Sequence, residues 1–187
     1  MERFFAYIQD SYNYSNYEIK LLRYFILTMS SEISKLTIIF TFFACIGKFT
    51  ESLLCMSVLL ILRLSGGGFH CEHYISCLLF SFLFVAASVF LAQVIIPCSI
   101  IMALTMAFCI VVAYRMAPVV SHHRPKPTQE LIKRSKIVNL FFLFICLLAV
   151  TAFHTNHYFI IIFWLCVLHT VQLLITKIQK GGMYHVL

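Results

Sequence analysis

Two side chains able to perform thiol chemistry, His70 and Cys77, lie in the stretch Arg63-Leu64-Ser65-Gly66-Gly67-Gly68-Phe69-His70-Cys71-Glu72-His73-Tyr74-Ile75-Ser76-Cys77. A thiolate attacks an acyl carbon and holds it as a thioester, and an imidazole first helps generate the thiolate and then protonates the leaving group. Three consecutive glycines precede the pair; glycine accepts positive φ and lets a backbone approach closely. Spacing alone leaves the base open. On a straight helix over 70–77, His70 and Cys77 share a face but stand about 10.5 Å apart along the axis, while His73, four residues before the cysteine, is the natural helical neighbour. His70 serves only if the glycine loop folds back over the first turn of the helix.

The rest of the island has supporting roles to offer, each with a plainer counterpart. Backbone N–H groups of Gly66, Gly67 and Gly68 can form an oxyanion hole or simply make a tight turn. Arg63 can hold a substrate carboxylate or anchor the helix end at the phospholipid headgroups. Glu72 can orient a histidine or face water, and Ser65 can fix the loop or the base by hydrogen bonding. His70, Cys71, His73 and Cys77 are also four zinc-capable groups. Their spacing matches no common zinc pattern, however, and four ligands drawn from eight consecutive residues poorly surround one ion. Neither metal nor cofactor is expected.

The elements that must position this island are membrane helices. Of 187 residues 61% are hydrophobic and 11% charged, with a mean hydropathy of +0.94, against roughly 25% charged residues in soluble domains. The expectation is an all-α, polytopic integral membrane bundle forming one membrane-embedded domain over 1–187. The first residues lack a short apolar core followed by small residues, so no signal peptide is expected and the first span directs insertion. Cys45, Cys55, Cys98, Cys109, Cys146 and Cys166 lie in or beside apolar tracts and read as small buried residues. Cys71 and Cys77 flank polar residues at a segment end, where a thiolate can be reached and activated.

Residues 1–31 mix acidic and basic groups with apolar positions 19, 22, 25 and 26 at helical spacing. They read as an amphipathic helix on the membrane surface or against the bundle. Apolar runs 36–47 and 52–62 fall short of the roughly 20 residues of a straight span and flank Lys48 and Glu51. Two short helices are favoured there over one long one, which would bury a Lys and a Glu at mid-depth. Runs 74–92, 98–114, 137–153 and 158–176 are four full-length spans, with turns at Gln93 to Pro97 and His154 to His157. With the short pair the total is six. His169, near the middle of the last span with Gln172 three residues on, is expected to make an interhelical hydrogen bond.

Charge sets the orientation. Residues 115–136 carry +5 (Arg115, Arg124, Lys126, Lys133, Arg134 and Lys136 against Glu130), and Lys177 and Lys180 add +2, together the whole net charge of +7. The positive-inside bias makes both regions cytoplasmic. Counting spans backwards puts the glycine island on the cytoplasmic face too.

Arg63-x-Ser65-Gly66-Gly67-Gly68-Phe69-His70 followed by Cys77, with Ala117-Pro118-Val119 and Lys126-Pro127 downstream, resembles the signature of the accessory gene regulator protein B (AgrB) family, membrane cysteine endopeptidases of Gram-positive quorum sensing. Size, apolar segments and landmark order agree over nearly the whole chain. His122, His123 and Arg124 depart from the pattern, standing where family members often carry Asp or Asn before Lys-Pro. The resemblance implies that Cys77 is the nucleophile and His70 its partner, in a multi-pass cell-membrane enzyme with its site at the cytoplasmic face. The implied partner is a short AgrD-like propeptide: its acidic C-terminal part is trimmed and the remainder is cyclised to an autoinducing peptide. A homodimer is implied as well, and nucleic acid is not.

The basic loop is explained mostly by contact with anionic membrane lipids and control of topology. With an acidic propeptide tail as substrate, Lys126 and its neighbour Arg124 are the candidates to steer it. The rival function is a small transporter or channel, against which stand the near absence of charge from the full-length spans and the gathering of polar residues at one end.

Overall fold

A computed structural model describes residues 14–67, 74–117 and 129–183. These residues contain six helices long and apolar enough to cross a membrane: α1 (Asn16–Cys45), α2 (Phe49–Gly66), α3 (Tyr74–Val94), α4 (Ser99–Met116), α5 (Gln129–Ala152) and α6 (His157–Met183). The chain is therefore a multi-pass membrane protein of all-α architecture. It divides into Met1–Phe42 and Phe43–Leu187.

Within the first unit, the charged stretch and the following apolar run do not form separate helices. They join in the 30-residue α1, about 45 Å long at 1.5 Å per residue. Its start is a capping box. Ser15 Oγ accepts from the Glu18 backbone N–H at 3.3 Å, while Glu18 Oε2 accepts from the Ser15 N–H at 2.8 Å and from its hydroxyl at 2.7 Å. Two N–H groups that helix geometry leaves without partners are thereby paired. The pattern Ser15-x-x-Glu18 was available in the sequence.

The second unit begins with the end of α1, where Gly47 takes φ +70°. Lys48 N–H donates to Phe43 O at 2.7 Å and Gly47 N–H to Ala44 O at 3.0 Å, the paired bonds of a Schellman stop. The chain is thus broken at 46–48, in line with two helices rather than one. Lys48 Nζ and Glu51 Oε1 pair at 2.9 Å, bridging the turn and the first turn of α2. At the end of α4, Ala117 is extended (φ −84°, ψ 151°), the conformation that a following proline imposes.

Helix α6 is the central post, packed against α2, α3, α4 and α5; α2 also meets α3 and α5, and α4 meets α5. Adjacent pairs such as Ile160 with Ile161, Leu165 with Cys166 and Leu173 with Gln172 are all buried, which gives α6 a buried surface wider than the single stripe of a peripheral helix. Of the six cysteines read as buried, Cys55, Cys109, Cys146 and Cys166 are so, whereas Cys45 and Cys98 are exposed. The last two sit at helix boundaries, beyond the reach of neighbouring helices.

Side-chain contacts establish which helix ends share a side. Late α2 meets early α3 through Arg63 and Ser81; late α4 meets late α6 through Lys177 Nζ and Arg115 O at 3.2 Å; early α5 meets late α4 through Lys136, 4.1 Å above the Tyr114 ring. At the opposite end Trp164 of early α6 donates to Ile95 O, just past α3, at 3.1 Å. The ends of α2, α4 and α6 and the starts of α3 and α5 therefore lie at one end of the bundle. That end carries Arg115, Lys133, Arg134, Lys136 and Lys177.

Candidate active site

Cys77 is the fourth residue of α3 and half-buried. It sits on the face of α3 that meets α2, since Ser81, one turn further along, accepts a hydrogen bond from Arg63 Nη1 at 3.2 Å. The Arg63 guanidinium also lies over the Phe80 ring at 5.9 Å. Arginine at a membrane boundary usually reaches outward to headgroups; here it turns inward and fastens the last turn of α2 to the turn of α3 below the cysteine. Its planar fork and delocalised charge suit a hydroxyl partner and an aromatic face together.

Ser65 and Gly66 close α2 in a second contact, with α5 and α6. Ser65 is buried, and its hydroxyl lies 2.7 Å from Ile61 O and 3.3 Å from Asn139 Oδ1. A hydroxyl has one proton to give, so the shorter bond stays within α2 and the longer approach to Asn139 is the contact that joins the helix end to α5. Gly66 is buried and helical, and a Cβ built there would stand 3.1 Å from both Asn139 Oδ1 and His169 Nε2. Gly67, with φ +75° and its N–H on Arg63 O, performs the positive-φ turn expected of the glycine run. Of the three glycines, then, Gly66 is required for close approach and Gly67 for its backbone angle. Gly68, His70, Cys71, Glu72 and His73, as well as Arg124 and Lys126 of the basic loop, lie outside the described residues.

Asn139 escaped the sequence reading altogether, although an amide three residues into an apolar run is the signal that marks polar contacts between membrane helices. The hydrogen bond expected of His169 does not form. The ring is 0% exposed and neither nitrogen has a hydrogen-bond partner; Gln172 is close enough to interact with it but makes no well-formed bond. Among the described residues no three His, Cys, Asp or Glu side chains gather as metal ligands.

The family model described as Accessory gene regulator B matches residues 1–173. The chain belongs to the accessory gene regulator B family. The match takes in all of α1 to α5 and most of α6, and with them the whole island and the basic loop. The AgrB family takes part in processing the AgrD propeptide for quorum sensing, so an AgrD-type propeptide is the substrate that membership implies. No curated protein and no solved structure matches the chain.

Proposed function

We propose that this AgrB-family chain is a membrane cysteine endopeptidase that cleaves the C-terminal part from an AgrD-like propeptide and promotes ring closure of the remainder into an autoinducing peptide. The observation that carries the reading is Cys77 itself. It is a half-buried thiol in the first turn of α3, at the end of the bundle where α2 stops at a glycine run, in a chain of a propeptide-processing family.

The chemistry follows from the residue types. The Cys77 thiolate attacks the scissile carbonyl carbon, and the tetrahedral adduct collapses with rupture of the C–N bond. The departing amine takes its proton from His70, and the retained peptide stays on Cys77 as a thioester. A thiol or hydroxyl within the same peptide then attacks the thioester carbonyl, its proton passes to the base, and Cys77 leaves as thiolate. A thiol attacker exchanges one thioester for another at little free-energy change, so the acyl activation survives into a thiolactone; a hydroxyl gives a lactone. Water would discard that activation, and a site at the membrane boundary limits its access.

The basic end of the bundle supports an active site at the cytoplasmic face, by the positive-inside bias. In this reading Gly66 to Gly68 shape the loop or its oxyanion donors, Glu72 supports the base, and Lys126 with Arg124 meets the acidic tail of the propeptide. The other basic side chains contact anionic lipid, and two copies of the chain form a homodimer.

The test is cleavage of a synthetic propeptide by purified protein in lipid vesicles. Cys77→Ala is expected to abolish cleavage with the protein still folded. Replacing His70 by Ala removes cleavage, and replacing His73 by Ala leaves most of it. Survival of cleavage in His70→Ala, or in Cys77→Ala, overturns the assignment.

A further inference from the structure

Burial along α3 begins one turn below the nucleophile. Tyr74, Ile75, Ser76 and Leu79 are exposed, Cys77, Leu78 and Phe80 are half-buried, and Ser81, 3% exposed, is the first buried residue of the helix. Its hydroxyl is used differently from those of other serines in the bundle. Ser57, Ser65 and Ser88 each donate to the carbonyl four residues back, which pairs a hydroxyl within its own helix. For Ser81 that carbonyl belongs to Cys77, and among the described residues no such bond forms; instead Ser81 Oγ accepts from Arg63 Nη1 of α2 at 3.2 Å. The guanidinium lies over the neighbouring Phe80 ring as well, 5.9 Å from its centre. An arginine at a membrane boundary reaches the headgroups at little cost. One that turns inward to a buried hydroxyl has given up that hydration, which is the mark of an ionisable group retained for function.

The contact sets the register of two antiparallel helices. Cys77 lies about 6 Å nearer the end of the bundle than Ser81 and about 40° around α3 from it, and Gly67 lies about 6 Å nearer that end than Arg63. Residues 63 and 81, then 67 and 77, are successive levels of one register. Cys77 thus stands within about one helical turn of the depth of Gly67, where α2 ends with φ +75° and the chain leaves for the segment that carries His70 and His73. A slip of one residue in α3 would turn the thiol by about 100° and take it off the face toward α2. We propose that Ser81 is a positioning residue: by accepting from Arg63 it fixes the rotation and depth of α3 against α2, and so aims the Cys77 thiol toward the end of α2. Ser81 acts through the helix it holds, not on the reacting atoms. This rests on the peptidase reading above and adds to it the residue that presents the nucleophile.

The experiment uses the full chain in lipid nanodiscs and a fluorescein-labelled synthetic propeptide of AgrD type, with kcat, KM and thermal unfolding measured for each variant and rates taken per folded molecule. Ser81→Ala is expected to lower kcat tenfold or more and to leave KM within about twofold. Ser81→Thr, which keeps the hydroxyl acceptor, recovers kcat to within about threefold of the parent. Because Ser81 works through Arg63, adding Ser81→Ala to Arg63→Lys changes kcat by less than about twofold. Trp164→Phe removes one hydrogen bond at the opposite end of the bundle and is the control for lost stability; its Tm falls about as far as that of Ser81→Ala while its kcat stays at the parent value. If Ser81→Ala does not fold, Phe80→Leu is read in its place, since it takes the ring from under the guanidinium and leaves the hydroxyl; a fall in kcat of threefold or more is then expected. An unchanged kcat in Ser81→Ala, or in Phe80→Leu where that stands in, overturns the inference. So does an equal fall in Trp164→Phe, a Ser81→Thr no better than Ser81→Ala, or losses that multiply with Arg63→Lys. Those outcomes leave the peptidase reading standing so long as the parent protein cleaves the propeptide through Cys77. Failure of the parent to cleave removes both.

Discussion

Replacing Gly66 by alanine tests the packing at the end of α2 with a single methyl group. The added Cβ would lie 3.1 Å from Asn139 Oδ1, 3.1 Å from His169 Nε2 and 3.2 Å from Asn139 Cγ, whereas ordinary contact begins near 3.4 Å. Each neighbour must therefore retreat by a few tenths of an ångström. Both are fully buried and have no solvent to move into. Overpacking of this kind costs about 1–3 kcal/mol. Alanine returns at most about 1 kcal/mol in helix propensity, and less at the last residue of a helix. The net expectation is a loss of about 1–2 kcal/mol, a fall in Tm of roughly 2–8 °C for a chain of this length. Thermal unfolding of the purified protein in detergent measures it. Because the clash is with Asn139, Gly66→Ala combined with Asn139→Ala should recover part of the loss, with a coupling of about 0.5 kcal/mol or more. A Tm that rises in Gly66→Ala, or losses that simply add in the double variant, would refute the close-approach argument. Gly67→Ala provides the contrast, since its φ of +75° with ψ of −164° imposes about 1–3 kcal/mol of backbone strain that removing Asn139 should not relieve.

Three further outcomes are expected. Arg63→Lys loses the combined hold on Ser81 and Phe80 and should cost about 1–2 kcal/mol, more than Ser81→Ala at about 1 kcal/mol; equal Tm values for both variants would remove the special role of the guanidinium. Trp164→Phe deletes the bond to Ile95 O at the end of the bundle opposite Cys77 and should lower stability by about 1 kcal/mol with cleavage per folded molecule unchanged; a selective loss of cleavage would contradict the separation of the two ends. If Lys126 and Arg124 steer an acidic tail, kcat/KM for the propeptide should fall several-fold as added salt shrinks the screening length from roughly 10 Å at 0.1 M to about 3 Å at 1 M. Lys126→Gln should flatten that dependence, and a salt-indifferent rate in the parent protein would sink the steering role.

The membrane class and the number of spans were legible because both rest on quantities local in sequence: the length of each apolar run and the charges between runs. Gly47 and Pro97 punctuate the chain where helices stop or connect, as their backbone restrictions require. The continuity of α1 was harder to see. Its early turns carry charge, and whether a helix runs on through such a stretch depends on capping, here by Ser15 and Glu18. The exposed Cys45 and Cys98 show the same limit, since an apolar run does not say where its helix starts and stops or what covers those ends.

By itself the sequence determined the chemistry on offer, a thiol and two imidazoles after three glycines, and the family to which the chain belongs. Tertiary structure alone decided the roles around it. Arg63 turns inward to Ser81 and Phe80, Ser65 is tied to α5, and Gly66 abuts Asn139 and His169, residues 73 and 103 positions away. No periodicity reveals such partners, because they are set by how α2, α5 and α6 pack at one depth. What a buried amide or imidazole lacks becomes visible only once everything around it has a position.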